Sequence, residues 1–273
     1  MDIEPIIQEY RSLRLHEVLD HDRFNQYAIV HHSSGIEGST LTENETRLLL
    51  EEGVTPKGKP LEHSLMVKDH FAALQFTLAA ARNKEPITIG FIQSIAARVM
   101  HSTGSIYENV LGRMDATKGE FRNENVSAGG SYFIGYDKVV RYVERLVEDL
   151  NAELAQAQTM GSQLLLSFRA HFDLVSIHPF FDGNGRTSRL LMNYIQEYFQ
   201  SPLAIVYQEY KNDYFDALAA ARKTEKIQVF YDFMEGQYRK FLQSEIDQYR
   251  NDFSRELTDK EKEIRGSGGS IFF

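Results

Sequence analysis

Apolar side chains recur every three or four residues along most of the chain, which is the spacing of one buried face of an α-helix. Few stretches show the strict alternation that marks a half-buried strand. The helices predicted from this periodicity cover residues 5–19, 62–81, 136–157, 162–177, 186–199, 207–218, 227–238 and 238–257, with one more around 91–99. The pattern therefore predicts an all-α fold class.

Capping and turn residues refine this outline. Thr42 and Glu45 have the spacing of a capping box, and Gly53 is expected to end the helix that they begin. Two short β-prone runs, 126–128 and 132–134, flank a Gly-Gly-Ser turn and predict one β-hairpin.

The same features suggest a division of the chain into four parts. The parts are an N-terminal helical region at 1–85, a core domain at 86–220, C-terminal helices at 221–265 and a flexible tail at 266–273. The apolar stripe of residues 238–257 is expected to pack on the domain, with a homodimer contact as the alternative.

Composition narrows the class of protein. The 273 residues include 42% hydrophobic and 25% charged side chains, as in soluble globular proteins. The absence of cysteine excludes disulfides and thiolate metal sites. No secretory signal pattern or membrane-length apolar run is visible, so we expect a cytoplasmic protein without a membrane partner.

Charge argues against a nucleic-acid partner. The formal net charge is −9, from 39 acidic and 30 basic residues, and would repel a phosphate backbone. Any anion must instead be bound by a local group of positive charges, which points to a mononucleotide rather than a nucleic acid.

The chemistry-bearing residues concentrate in one stretch, 178–189, which reads His-Pro-Phe-Phe-Asp-Gly-Asn-Gly-Arg-Thr-Ser-Arg. Gly183, Asn184 and Gly185 immediately precede the helix that periodicity predicts from residue 186. The unpaired N–H groups and positive dipole end of a helix N-terminus favour a bound phosphate. This turn is therefore a candidate phosphate site.

Charged and titratable side chains surround that turn. Arg186 and Arg189 are three residues apart, so both project from one side of the first helical turn and suit a polyphosphate. Asp182 is a hard oxygen ligand for Mg²⁺ carried by a nucleotide. His178 can accept a proton near neutral pH, so the group favours phosphoryl or nucleotidyl transfer.

Other nucleotide and metal motifs fit less well. The dinucleotide pattern G-x-G-x-x-G fails because Ser188 occupies its last glycine position and no strand precedes the turn. The Walker A pattern is absent, and Pro179 prevents His178 and Asp182 from forming a helical metal pair. His171, on the preceding apolar helix, is expected to be a core histidine outside the site.

The stretch 178–189 resembles the signature of the Fic family, His-Pro-Phe-x-Asp/Glu-Gly-Asn-Gly-Arg-x-x-Arg, at every specified position. The resemblance implies a Fic-type helical bundle with a small β-hairpin flap over the active site. It also implies transfer of AMP from ATP to a Ser, Thr or Tyr hydroxyl of a protein, with release of pyrophosphate.

The resemblance also assigns roles. It implies His178 as the general base, Asp182 as the Mg²⁺ ligand, Gly183, Asn184 and Gly185 as the anion hole, and Arg186 and Arg189 as the terminal-phosphate ligands. Relatives that act as kinases have Lys in place of Gly185, so the glycine favours AMP transfer. The partners implied are ATP and a hydroxyl-bearing protein, with the enzyme itself as a further target.

A second resemblance lies near the N-terminus. Ser33, Glu37 and Gly38 match the family's inhibitory pattern, [Ser/Thr]-x-x-x-Glu-[Gly/Asn], placed as in the class with an N-terminal inhibitory helix. By that resemblance Glu37 pairs with Arg189 and blocks the γ-phosphate position. Likewise the hairpin near 126–134, which follows Gly119-Glu-Phe-Arg, resembles the flap that docks a target segment by strand addition.

Three other functions remain open at this point. One is removal of AMP from a modified protein, with Glu37 helping to activate water. Another is transfer of a different group, such as UMP or phosphocholine. The last is a regulatory protein that senses nucleotide without turnover.

Overall fold

The computed structural model describes residues 3–15, 21–128 and 130–267, and within them the chain is a helical bundle with two small sheets. This confirms the all-α fold class. The helices are α1 (Glu4–Ser12), α2 (His21–Ile36), α3 (Glu43–Glu52), α4 (Leu61–Arg82), α5 (Ile89–Val99), α6 (Val139–Leu154), α7 (Met160–Ile177), α8 (Asn184–Tyr198), α9 (Lys211–Thr224) and α10 (Gln228–Ser267). No helix among these residues has the length and apolar composition needed to cross a membrane.

Helix α8 is the centre of the bundle. It packs against α7, α4 and α5, and its apolar residues Leu190, Leu191, Tyr194 and Ile195 have no exposed surface. A helix that neighbours enclose on several sides cannot keep one polar face in water. Its polar first turn is therefore buried as well, and this places Arg186 and Arg189 inside the protein.

Helix α2 was not predicted from periodicity. Its buried positions include the polar residues His31, His32, Ser33 and Ser34, which interrupt any apolar stripe. The helix nevertheless packs on α3 and α4 and reaches α8 at its C-terminal end. Tertiary contacts, rather than an amphipathic pattern, account for this helix.

The local helix signals near α3 are confirmed. The Thr42 side chain accepts from the Glu45 backbone N–H at 3.2 Å, and Glu45 accepts from the Thr42 N–H at 2.8 Å. Gly53 ends the helix in the left-handed region, at φ 72°. A side-chain capping box at one end and a glycine backbone cap at the other thus fix a helix that follows the candidate inhibitory segment.

Several predicted boundaries need correction. Helix α1 ends at Ser12 because Arg14 adopts a left-handed φ of 52°, and residues 16–19 of the predicted helix lie outside the described residues. The two helices predicted at 227–238 and 238–257 form one helix, α10, because the buried stripe continues through Tyr238 and Leu242. Helix α10 extends to Ser267, so only 268–273 of the predicted tail lie outside the described residues.

Two hairpins precede α6. Strands β3 (Ser127–Ala128) and β4 (Ser131–Tyr132) pair antiparallel, with Ser127 opposite Tyr132, which confirms the predicted hairpin. Strands β1 (Ile106–Asn109) and β2 (Gly112–Asp115) form a second hairpin that was not predicted. Four residues are too few for alternation to be distinguished from a loop.

The stripe at the start of the long C-terminal helix packs on the domain, as expected. Helix α10 contacts α1, α7 and α9, and Tyr238, Phe241, Leu242 and Ile246 are buried there.

Candidate active site

The loop between α7 and α8 has a tightly fixed backbone. His178 ends α7 in the left-handed region, at φ 53°, and Pro179 prevents the helix from continuing. The Asn184 side chain closes the loop by accepting from the Phe180 N–H at 2.9 Å and donating to the Phe180 carbonyl at 2.8 Å. Asn184 therefore shapes the turn with its side chain, and only its backbone N–H remains for an anion.

Glycine is required at position 183 of the predicted phosphate turn, and glycine at position 185 leaves room for the ends of the Glu37 and Arg189 side chains. Gly183 caps α8 at φ 78°, and a Cβ there would lie 2.9 Å from the Met100 sulfur. A Cβ on Gly185 would clash with the Glu37 carboxylate and lie 3.1 Å from an Arg189 nitrogen. No side chain caps this helix, so its first N–H groups face the space beside Arg189 and Glu37.

Arg186, in the first turn of α8, is held by residues at the C-terminal end of α5. It is only 2% exposed and donates to the Val99 carbonyl at 3.4 Å and to the Met100 sulfur at 3.3 Å. A carboxylate oxygen of Asp182 lies 3.6 Å away, and the Asp182 side chain is 56% exposed. The Arg186 Nε has no hydrogen-bond partner among the described residues, so the guanidinium retains donor capacity.

Arg189 lies at the centre of a cluster of hydrogen bonds with the end of α2. Its Nε donates to the Ser33 hydroxyl at 2.8 Å, and Nη2 donates to the Ser33 carbonyl at 3.0 Å and to Glu37 Oε1 at 2.7 Å. Its remaining contact is the Tyr214 hydroxyl, 3.5 Å from Nη1. Gly38, directly after Glu37 in the sequence, has a φ of 104°, so the backbone changes direction there.

The electrostatics of this pair keep both partners charged. Burial would raise the pKa of Glu37, but the charges of Arg189 and Arg186 and the hydrogen bond from Arg189 hold it below the ordinary 4.5. The Glu37 side chain is 26% exposed and that of Arg189 is 4% exposed. The carboxylate therefore supplies the negative charge that the buried guanidinium needs.

His178 is neutral in this environment. Burial, together with the nearby charges of Arg122 and Arg222, lowers its pKa to about 4, although the Val175 carbonyl acts in the opposite direction. Its ring stacks on Phe133 of the flap with the centroids 3.8 Å apart. Nδ1 is buried, which leaves Nε2 as the nitrogen that can meet a hydroxyl.

Arg122 joins the flap to the histidine loop, a role that the sequence did not reveal. Its Nε donates to the His178 carbonyl at 2.8 Å, and its Nη atoms donate to the carbonyls of Glu124 at 2.8 Å and Ile134 at 2.5 Å. Its backbone N–H donates to the Pro179 carbonyl at 2.9 Å. The available signal was an arginine shortly before the hairpin, but the His178 carbonyl that it binds lies 56 residues further along the chain.

His171 is buried without exposed surface, as expected for a core histidine. Its Nε2 lies 2.8 Å from the Tyr214 hydroxyl, the same hydroxyl that faces Arg189. His171 therefore lies outside the pocket and is linked to Arg189 through the Tyr214 hydroxyl.

A resident metal cage is absent from the described part of the chain, since no three histidine or acidic side chains are grouped to hold an ion there. Asp182 directly precedes the phosphate turn, and most of its side chain faces solvent. One carboxylate fits a divalent ion that phosphate oxygens share, rather than an ion that the protein holds alone.

Comparisons with known proteins agree with the geometry. A model of the Fic/DOC family matches residues 86–196. The protein adenylyltransferase Fic of Drosophila yakuba is 33% identical over 195 residues, which are 71% of this chain and 37% of that protein. Its counterpart in Culex quinquefasciatus is 34% identical over 195 residues, 71% of this chain and 36% of that protein. The match thus spans little more than a third of these relatives.

Among solved structures, a Fic domain containing signaling protein from Bacteroides thetaiotaomicron has the same fold. It superposes with a TM-score of 0.78 at 23% identity, covering 91% of this chain and 98% of that chain. The helical bundle, including the segments before and after residues 86–196, is therefore shared with that protein.

The Glu37–Arg189 pair predicts a specific stability effect. Glu37→Gln should lower the free energy of unfolding by about 2 kcal/mol at neutral pH, because a charge-assisted bond to a buried guanidinium is lost. Since the folded-state pKa of Glu37 is below 4.5, this stabilisation is complete above 4.5 and disappears as the pH falls through the folded-state value. Urea denaturation of both proteins across this pH range measures the difference.

A matched control is Glu197→Gln. Glu197 pairs with Arg82, whose side chain is 56% exposed and remains hydrated when the pair is broken. Equal losses for the two variants, or a Glu37 effect that grows on acidification, would contradict the prediction.

Proposed function

Because the chain belongs to the Fic/DOC family, we propose that it transfers AMP from ATP to a Ser, Thr or Tyr hydroxyl of a target protein and releases pyrophosphate. One observation carries this proposal: the uncapped first turn of α8 contains the buried Arg186, is followed by the buried Arg189, and adjoins the loop that presents His178. Such a turn suits phosphate oxygens, and a neutral imidazole beside it suits an incoming alcohol.

The reaction uses His178 as the base. The target oxygen attacks the α-phosphorus, forming one P–O bond while the bond from that phosphorus to the bridging oxygen breaks. Pyrophosphate leaves with the bridging oxygen, and the hydroxyl proton passes to His178 Nε2. The low pKa of His178, about 4, means that the imidazole is free to accept this proton at neutral pH.

The phosphate chain is held by the α8 turn. The backbone N–H groups of Asn184 and Gly185 stabilise the charge that develops on the phosphates, and Arg186 and Arg189 neutralise the terminal groups. Asp182 would hold Mg²⁺ shared with the phosphates, which supplies further charge neutralisation when bound.

Glu37 inhibits the transfer in the resting protein. Its carboxylate accepts a hydrogen bond from Nη2 of Arg189 at 2.7 Å and lies against Gly185. A terminal phosphate would otherwise bind at this position. A phosphate near that position would meet a like charge and an arginine already engaged. ATP can then bind only in an unproductive position or after the end of α2 has moved.

Removing the carboxylate should activate the protein. We expect Glu37→Gly to increase AMP transfer roughly a hundred-fold, which corresponds to about 3 kcal/mol of coupling between the two sites. Incorporation of α-labelled ATP into cell-lysate proteins, and into the enzyme itself, measures the change.

Glu52→Gly is the matched control, since Glu52 is exposed near the end of α3. Equal labelling by the wild type and Glu37→Gly would reject autoinhibition. Release of AMP from a labelled target that requires Glu37 would instead favour the removal reaction.

His178 should be required for chemistry but not for binding. His178→Ala in the Glu37→Gly background should abolish transfer while MgATP affinity, measured by calorimetry, changes less than about three-fold. In the active parent, kcat/KM should remain constant on acidification until the pH approaches the His178 pKa of about 4, instead of declining near 6.5.

Reassay at neutral pH after acid incubation controls for unfolding. Transfer by the alanine variant, or a reversible decline in kcat/KM near pH 6.5, would remove His178 from the base role.

A further inference from the structure

We propose that Tyr214, on helix α9, is a positioning residue that holds the guanidinium of Arg189 in the nucleotide pocket after Glu37 has withdrawn. The inference rests on the proposed function, because it gives Arg189 a role toward the terminal phosphates of ATP. Tyr214 lies outside residues 86–196, the segment that the family model matches. Neither periodicity nor motif spacing connects it with the site.

The geometry places the phenol between two groups. Tyr214 is 1% exposed, and its hydroxyl lies 2.8 Å from His171 Nε2 and 3.5 Å from Arg189 Nη1. The Arg189 guanidinium carbon is 5.9 Å from the centre of the Tyr214 ring. The side chain therefore borders the guanidinium with both its hydroxyl and its ring.

The direction of the contact with Arg189 is fixed, because a guanidinium can only donate. Burial, reinforced by the charge of Arg189, lowers the pKa of His171 to about 3, so the imidazole is neutral and can accept at Nε2. Burial also raises the pKa of Tyr214, which keeps its hydroxyl protonated. The Tyr214 oxygen therefore accepts from Arg189, and in the tautomer of His171 that leaves Nε2 unprotonated the phenol proton is donated to the imidazole.

Tyr214 differs from the other partners of Arg189 in its place in the fold. Ser33 and Glu37 both belong to the end of α2 and would leave together when that segment moves. Helix α9 packs mainly on α10 and meets α2 only indirectly, through the segment Gln208–Tyr210 that touches both, so Tyr214 keeps its main support when the end of α2 moves. Among the described contacts of Arg189, it is the hydrogen-bond partner that stays.

The arginine side chain has several rotatable bonds, so it loses conformational entropy when it binds a ligand. A partner that restricts Arg189 before binding reduces this cost. Tyr214 should therefore contribute to ATP affinity, and should contribute little to the proton transfer at His178.

The test uses the Glu37→Gly protein as the parent, with Tyr214→Phe added to remove one oxygen atom. We expect MgATP affinity, measured by calorimetry, to fall about 3- to 10-fold, while AMP affinity is unchanged because AMP lacks the terminal phosphates. In the transfer assay KM for ATP should rise by a similar factor, and kcat should change less than about two-fold.

Tyr238→Phe in the same parent is the control. Tyr238 is a fully buried phenol on α10 that donates to the Pro202 carbonyl at 2.8 Å, so its loss costs a comparable hydrogen bond away from the pocket. Thermal unfolding of both variants tests whether their stability losses match. Even if the stability losses match, MgATP affinity should fall in Tyr214→Phe and stay at the parent value in Tyr238→Phe.

Unchanged MgATP affinity in Tyr214→Phe, or equal losses for ATP and AMP, would overturn the positioning role. A parent that binds MgATP but transfers no AMP would reject the proposed function, and the affinity comparison would still decide the role of Tyr214. A parent that fails to bind MgATP would overturn both.

Discussion

The structure depends on the need of one buried guanidinium for a negative partner. Arg189 is 3% exposed in the centre of an all-helical core, where an uncompensated charge would cost several kcal/mol. In the resting protein Glu37 meets this need at 2.7 Å. A terminal phosphate would meet it equally well, and the two ligands cannot share the position. Under the proposed function, inhibition by Glu37 and binding of a terminal phosphate would be two solutions to the same electrostatic requirement, and neither would leave the arginine without a negative partner.

The attachment of α2 is suited to such an exchange. Its end contacts the rest of the site through polar groups: Gln208 lies against Gly35, where a Cβ would clash, and its amide is 2.9 Å from His31 Nε2. A hydrogen-bonded contact exchanges protein partners for water at a small net cost, whereas an apolar one must expose its whole surface. The last turn of α2 is thus held partly by exchangeable polar contacts and partly by Ile36, which is buried in the hydrophobic core.

The sequence predicted the features that local chemistry determines. Residues 178–189 carry their own turn, helix start and charges, and the Thr42 capping box needs only neighbours along the chain. What sequence reasoning missed depends on distant partners. Helix α2 buries polar residues that match groups elsewhere, and Arg122 and Tyr214 acquire their roles from residues tens of positions away. Periodicity detects apolar burial and is insensitive to a polar side chain that is buried because it is paired.

These contacts divide the site into two separately anchored halves. One half, which contains the proposed base, consists of the end of α7 and the flap. Arg122 joins these two parts by donating to the His178 and Ile134 carbonyls, and Phe133 of the flap stacks on the His178 ring. The phosphate half consists of the α8 turn and its arginines. Glu37 bonds directly to the phosphate half, whereas its charge is the weakest of the influences on the pKa of His178. Under the proposed function, withdrawal of the Glu37 carboxylate would free a phosphate position without rebuilding the histidine loop, because the hydrogen bonds described for that loop do not include the segment around Glu37.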